Sequence, residues 1–167
     1  IAMDFLFNQK WKSDKHSKVI HNGIDFSDYR RDFDFDEKKK MLGLRKKYNI
    51  CTVGRISFQK NPLFIVDVMN ELFKIRDDCD FVWIGTGDME KQVYNRIATY
   101  RIEDHMHMLG SRSDVPEILR CMDAFFLPSN FEGLGIVLIE AQAAGLPCVT
   151  ATTTPAEANC GSTLYLP

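Results

Sequence analysis

Residues 49–75 read NICTVGRISFQKNPLFIVDVMNELFKI. A short apolar run gives way to a polar loop, and then to a stretch whose apolar residues return every three or four positions. The spacing predicts a strand at NICTVG, a loop at RISFQKN and a helix at PLFIVDVMNELFKI. Pro62 falls at the first helical position, where a backbone N–H would have no partner in any case.

The same unit recurs down the chain. "DFVWIG" leads through "TGD" into the helical "MEKQVYNRIATY", and "HMHMLG" leads through "SRSD" into "VPEILRCM". "DAFFLPS", "NFEGLG", "IVLIEAQAAG" and "LPCVTA" complete the series. Short apolar strands alternating with helices, with Gly, Ser or Asn at each junction, predict an α/β, Rossmann-like parallel sheet with helices on both faces and a core over 49–152. Ligands of such sheets bind beyond the carboxyl ends of the strands. The loops at 54–61, 85–88, 110–114 and 128–135 are therefore expected along one edge.

Upstream of this core the pattern is less regular. Residues 1–22 mix Phe5, Phe7 and Trp11 with lysines and end near the turn pair Asn22-Gly23; they are read as the end of a preceding domain and a linker, with 23–167 as one domain truncated at its C-terminus. The start at Ile1 fits a piece of a longer protein. Residues 27–36 read as a loop, and "DEKKKMLGLRKKY" as a helix with apolar positions at Met41, Leu44 and Tyr48 and a solvated basic face.

Bulk properties narrow the function classes. A formal net charge of −2 gives no global reason to expect nucleic acid or an anionic membrane as partner. The five cysteines are odd in number, scattered and without a C-x-x-C pair, which argues against a disulfide framework or a zinc knuckle and for a reducing cytoplasm. Neither a spanning apolar run nor a signal peptide is read.

The ligand-edge loops carry the candidate chemistry. Gly54, Arg55 and Lys60 follow the first core strand, and two cations there suit a diphosphate or are simply exposed charges. Gly85-Thr86-Gly87 permits close approach to backbone, yet lacks the third glycine of a dinucleotide fingerprint, so a plain tight turn fits as well. Gly110, Ser111 and Arg112 could read a base or cap the helix that starts near Asp114. His105 and His107 alternate with methionines and are expected on one face of a strand; without a third ligand nearby they read as strand-edge histidines rather than a metal site.

Glu132 and Glu140 bracket the apolar run GLGIVLI. A helix starting near Gly135 would offer the N–H groups of Leu134, Gly135 and Ile136 to an anion, with one carboxylate on each side. A carboxylate beside a phosphate suits hydroxyls rather than the phosphate itself. By spacing alone the better reading is an ordinary exposed helix residue at Glu140 and a loop charge at Glu132.

In order, "GRISFQKN", "FVWIGTGD" and "MHMLGSRSDVPEILRCMDAFFLPSNFEGLGIVLIEAQAAGLPCVTA" resemble the nucleotide-sugar-binding half of the retaining glycosyltransferases of family 4, the group 1 transferases, and most of all those of bacterial exopolysaccharide and capsular polysaccharide synthesis. The resemblance runs from about Lys18 to about Thr150, and its most specific element is PS-x2-EGLG-x4-E-A-x-A-x-G-x-P. It implies the C-terminal half of a GT-B fold and a metal-independent, cofactor-free transfer from a nucleoside-diphosphate sugar, UDP-linked in the expected case, to a growing surface polysaccharide or lipid-linked acceptor. Arg55 and Lys60 would hold the donor diphosphate, and Glu132 would contact the donor sugar. Leu134 and Gly135 would offer N–H groups, Glu140 would bind the ribose, and Gly85, Gly87 and Gly110–Arg112 would line the nucleotide pocket. The acceptor would be held by an N-terminal domain, and peripheral membrane association would fit a lipid-linked acceptor.

The resemblance thins after Thr150, where "TTTPAEANCGSTLYLP" lacks the family's Gly pair and leaves Thr153, Thr154 and Glu157 without assigned roles. A GT-B sugar-nucleotide epimerase and a non-catalytic nucleotide-binding module are the other readings.

Overall fold

The computed structural model describes residues 15–16 and 23–167. The reading of residues 1–22 as domain end and linker therefore lies almost wholly outside the described residues. Among the described residues six strands form one all-parallel sheet: β1 Tyr48–Val53, β2 Cys79–Ile84, β3 Met106–Met108, β4 Ala124–Leu127, β5 Cys148–Ala151 and β6 Thr163–Leu166, in the order β3-β2-β1-β4-β5-β6. The strand order reverses direction between β3 and β4, so the loops after β1 and β4 face one another at the switch point where such sheets take ligands.

Among the described residues five α-helices accompany the sheet: α1 Phe35–Met41, α2 Pro62–Ile75, α3 Glu90–Tyr100, α4 Val115–Arg120 and α5 Ile136–Ala143. The predicted α/β architecture, with helices on both faces, is what forms. β2 shows why: all six of its residues are buried. Phe81 and Trp83 pack with Ile65, Val66 and Met69 of α2 and Val93 and Ile97 of α3. Val82 and Ile84, on the alternate pleat positions, pack with Ile118 and Leu119 of α4 and Leu138 and Ala141 of α5. At 25 cal/mol per Å2 each of these large side chains contributes about 1.5–3 kcal/mol when removed from water.

Three details differ from the sequence reading. The helix expected through Met41, Leu44 and Tyr48 stops early. Gly43, at φ 76, lets Leu44 N–H reach Lys39 O and its own N–H reach Lys40 O, closing a Schellman stop. Met41 is left 76% exposed, while Leu42 and Leu44 enter the core and Tyr48 opens β1. The start of α1 is set by Asp34, whose carboxylate accepts from the N–H groups of Asp36 and Glu37 at 3.0 and 2.9 Å.

Second, β3 is only three residues long, and His105 lies in the 3-10 turn Glu103–His105 rather than on the strand. The two imidazoles still converge: His105 Nδ1 and His107 Nε2 lie 3.8 and 3.4 Å from oxygens of the buried Asp80. Asp80 also accepts from the N–H groups of Arg45 and Lys46.

Third, the sheet extends past the expected core limit of residue 152 into β6, which pairs with β5 from Cys148↔Thr163 to Ala151↔Leu166. A cavity of about 630 Å3 opens between α2 and strands β4–β6, lined by Phe64, Val68, Phe126, Val149 and Leu166 among others. All five cysteines are free, and four of them are buried. No helix among the described residues is long and apolar enough to cross a membrane.

Candidate functional site

The site is assembled from loops at the carboxyl ends of β1, β2, β3 and β4 and from the N-terminus of α5. Its floor is the loop after β1 lying directly on the loop after β2. Gly54 N–H donates to Ile84 O at 2.9 Å, Ile56 N–H to Thr86 O at 3.0 Å and Met89 N–H to Ile56 O at 3.0 Å. Gly85 N–H donates to Gly110 O at 2.8 Å, joining the third loop to the other two.

This contact defines what the G-x-G pair does. A Cβ on Gly85 would lie 2.2 Å from Gly54 O, and one on Gly87 would lie 2.2 Å from Ile56 O. At these two positions protein backbone makes the close approach that only glycine permits. Gly54 has a different duty: a Cβ there would lie 2.7 Å from Lys60 Cε, so its bareness leaves a channel for the lysine stem.

Lys60 closes the 3-10 turn Phe58–Lys60, and the next residue, Asn61, takes the left-handed conformation at φ 53 and ψ 52 before Pro62 starts α2. Asparagine tolerates that conformation better than most residues. The sharp reversal sends Lys60 back across Gly54 toward the loop after β4. Its Nζ donates to Glu132 Oε1 at 2.6 Å, with the two side chains 12% and 5% exposed.

Glu132 is thus held inside, not waving in solvent. Oε1 also accepts from Ser129 Oγ at 2.6 Å, and Oε2 from Gln59 Nε2 at 3.4 Å. The backbone reinforces the clasp: Asn130 N–H donates to Gln59 O at 2.8 Å, and Asn130 Nδ2 to Phe58 O at 2.7 Å. Thr153 Oγ1, from the loop after β5, donates to Ser129 O at 2.5 Å. Lys60 and Glu132, far apart in sequence, are brought together, whereas Arg55 stands apart from them. It is 74% exposed, with Asp88 3.7 Å away, and so remains available to an incoming anion.

Gly135, at φ 72, is the N-cap of α5, and Leu138 N–H returns to Gly135 O. The first N–H groups of a helix have no intrahelical partner, so Gly135 and Ile136 present theirs to the site edge. Glu140 sits a turn further on and is partly buried on the helix rather than freely exposed. Burial pushes its carboxyl above the ordinary range. Tyr29, from the segment preceding α1, faces it: the phenol is pushed up to about 12 by burial and by the nearby charges of Glu140 and Asp28.

The third loop departs from expectation. Ser111 and Asp114 do not cap α4 through their side chains. Asp114 instead takes both guanidinium donors of Arg112, Nε at 2.8 Å and Nη2 at 2.7 Å, and Lys38 Nζ at 2.7 Å. Lys38 also bonds Glu117. Those hydrogen bonds, Arg112's first, hold the Asp114 carboxyl well below the usual carboxylate range against the opposing effect of burial. Arg112 is thus paired with the N-cap residue of α4, and Lys38, read as part of a solvated basic face, is a largely buried tie between α1 and α4.

Sequence reasoning missed Gln59, Ser129 and Tyr29. Ser129 stands inside the PS-x2-EG element, three residues before Glu132, a spacing that could have announced their bond. Nothing in the local sequence signals Tyr29. Among the described residues no group of three or more His, Cys, Asp or Glu side chains is arranged to hold a metal ion.

Residues 34–159 match the model of the family described as Glycosyl transferases group 1. The chain belongs to this family. It is 35% identical over 136 residues to the UDP-Gal:alpha-D-GlcNAc-diphosphoundecaprenol alpha-1,3-galactosyltransferase of Escherichia coli, covering 78% of this chain and 35% of that protein. It is 34% identical over 143 residues to the lipopolysaccharide core biosynthesis mannosyltransferase LpsB of Rhizobium meliloti, covering 81% of this chain and 40% of that one. The chain therefore spans well under half the length of these relatives. In three dimensions it superposes on Anabaena Alr3699/HepE, solved in complex with UDP-glucose, with a TM-score of 0.73 and 24% identity over 83% of this chain and 39% of the other. That likeness is one of fold: the two chains share the α/β, Rossmann-like parallel sheet with helices on both faces.

Proposed function

We propose that this chain is the donor-binding domain of a retaining, metal-independent glycosyltransferase that takes a sugar from a UDP-sugar for surface polysaccharide or a lipid-linked acceptor. The observation that carries the reading is the clasp at the switch point. An inward lysine paired to a buried glutamate, an exposed arginine and the N-terminus of α5 all meet on one edge of the sheet.

The roles follow from the charges. Lys60 has three N–H donors and gives one to Glu132, so two remain for phosphate oxygens. Arg55 supplies a second cation and α5 a third, partial one. When the bond between the anomeric carbon and the β-phosphate oxygen breaks, its electron pair stays on the diphosphate, and these groups stabilise that charge. The acceptor oxygen bonds to the same carbon from the face the diphosphate leaves, and its proton passes to the departing phosphate oxygen. Glu140 would accept hydrogen bonds from the ribose diol, and the acceptor would be presented by another domain at the cytoplasmic side of the membrane.

Titration calorimetry with UDP tests the site without requiring turnover. Arg55→Ala is expected to weaken binding about tenfold, the loss of one charge-assisted hydrogen-bond partner, and Glu140→Ala by a similar factor, with EDTA making no difference. Unchanged affinity in both variants would sink the assignment.

A further inference from the structure

We infer that Ser129 is a positioning residue that aims Glu132, leaving Oε2 as the oxygen that meets the donor sugar; the inference rests on the donor-binding reading above. The carboxylate's contacts are unequal. Oε1 takes two short hydrogen bonds, from Ser129 Oγ and Lys60 Nζ, both at 2.6 Å. Oε2 takes a single long one, from Gln59 Nε2 at 3.4 Å. A carboxylate offers about four lone-pair sites, so Oε1 is filled and Oε2 has room.

Ser129 is suited to fix that asymmetry. It is 1% exposed, so water does not compete for its hydroxyl. Its backbone is pinned from the far side by Thr153 Oγ1 at 2.5 Å. Its one O–H goes to Glu132, three residues along a loop strapped by Asn130 to Phe58 and Gln59. Lys60 alone could not hold the orientation, because an ammonium on a four-carbon stem is a point charge without directional preference. With Ser129 gone, a single bond to Lys60 holds Oε1, the carboxylate can turn about its last side-chain bond, and Oε2 is no longer aimed at the sugar. Gln59 acts in the opposite sense: its long contact is the one a sugar hydroxyl replaces on entry.

The discriminating quantity is the affinity for UDP-glucose or UDP-galactose relative to that for UDP, measured by calorimetry on this chain. Ser129→Ala should lower that ratio about tenfold while UDP affinity stays within about twofold, since the carboxylate faces the sugar and not the nucleotide. Gln59→Ala should leave the ratio unchanged or raise it; its backbone carbonyl, which Asn130 uses, is untouched. An unchanged ratio in Ser129→Ala, or equal losses for UDP and UDP-sugar, overturns the positioning role while the donor reading stands. Failure of the unsubstituted chain to bind UDP or either UDP-sugar overturns the donor reading and this inference with it.

Discussion

Glu140 shows how one residue's surroundings decide its behaviour. Its carboxyl is pushed above the ordinary value of 4.5 by burial alone. A raised folded-state value means the folded chain binds the proton more tightly than the unfolded one, so stability falls as pH rises from 4.5 through the folded value and stays low above it. Glu140→Gln should remove that slope and raise the thermal midpoint at pH 7 by about 1–3 °C. Melts from pH 4 to 8 would check this, and parallel slopes in both proteins would contradict it. The same variant should weaken UDP, since an amide is a poorer acceptor for a diol. Of the proposed site residues, the positions of Arg55, Lys60, Glu132, Gly135 and Glu140 along the sheet edge were legible, because a strand, a turn and a helix start fix where they stand. What each touches was not. The Lys60–Glu132 bond joins positions 72 residues apart, and no local pattern encodes it.

Between elements, α1, which buries no residue of its own, is tied to α4 by charge. Lys38, Asp114 and Glu117 have side chains 14%, 23% and 33% exposed, so the network is partly shielded from solvent. Asp114→Asn keeps the shape and removes the charge, and is expected to cost about 1–2 kcal/mol at pH 7 by urea unfolding. The Asp114 carboxyl is depressed, so its contribution is full above the ordinary value of 3.8 and fades as pH falls through the folded-state value. The difference between variant and parent should therefore shrink in acid. A constant difference down to acid would mean that packing, not charge, is at work. Strand and helix existence was readable from periodicity throughout 49–152. The exceptions have physical causes: Gly43 cuts α1 short, and β6 is a four-residue strand behind a polar stretch.

For the molecule as a whole, the two faces of the sheet are finished differently. α4 and α5 close one, and α2 and α3 cover the β1–β3 half of the other, where the cavity beside β4–β6 keeps Phe64 47% and Leu166 45% exposed. Apolar surface of that extent binds hydrophobic dyes, so 8-anilinonaphthalene sulfonate should fluoresce with the native chain at neutral pH, and the Phe64→Lys/Leu166→Lys double variant should bring the signal near background. An undiminished signal would locate the dye elsewhere. The fused loops after β1 and β2 have a bearing on energetics. Their backbones interlock through Gly85 and Gly87 with no ligand present, so that half of the candidate edge has already surrendered its conformational freedom during folding. A ligand settling there orders little that was loose, and its association should show a modest entropic penalty.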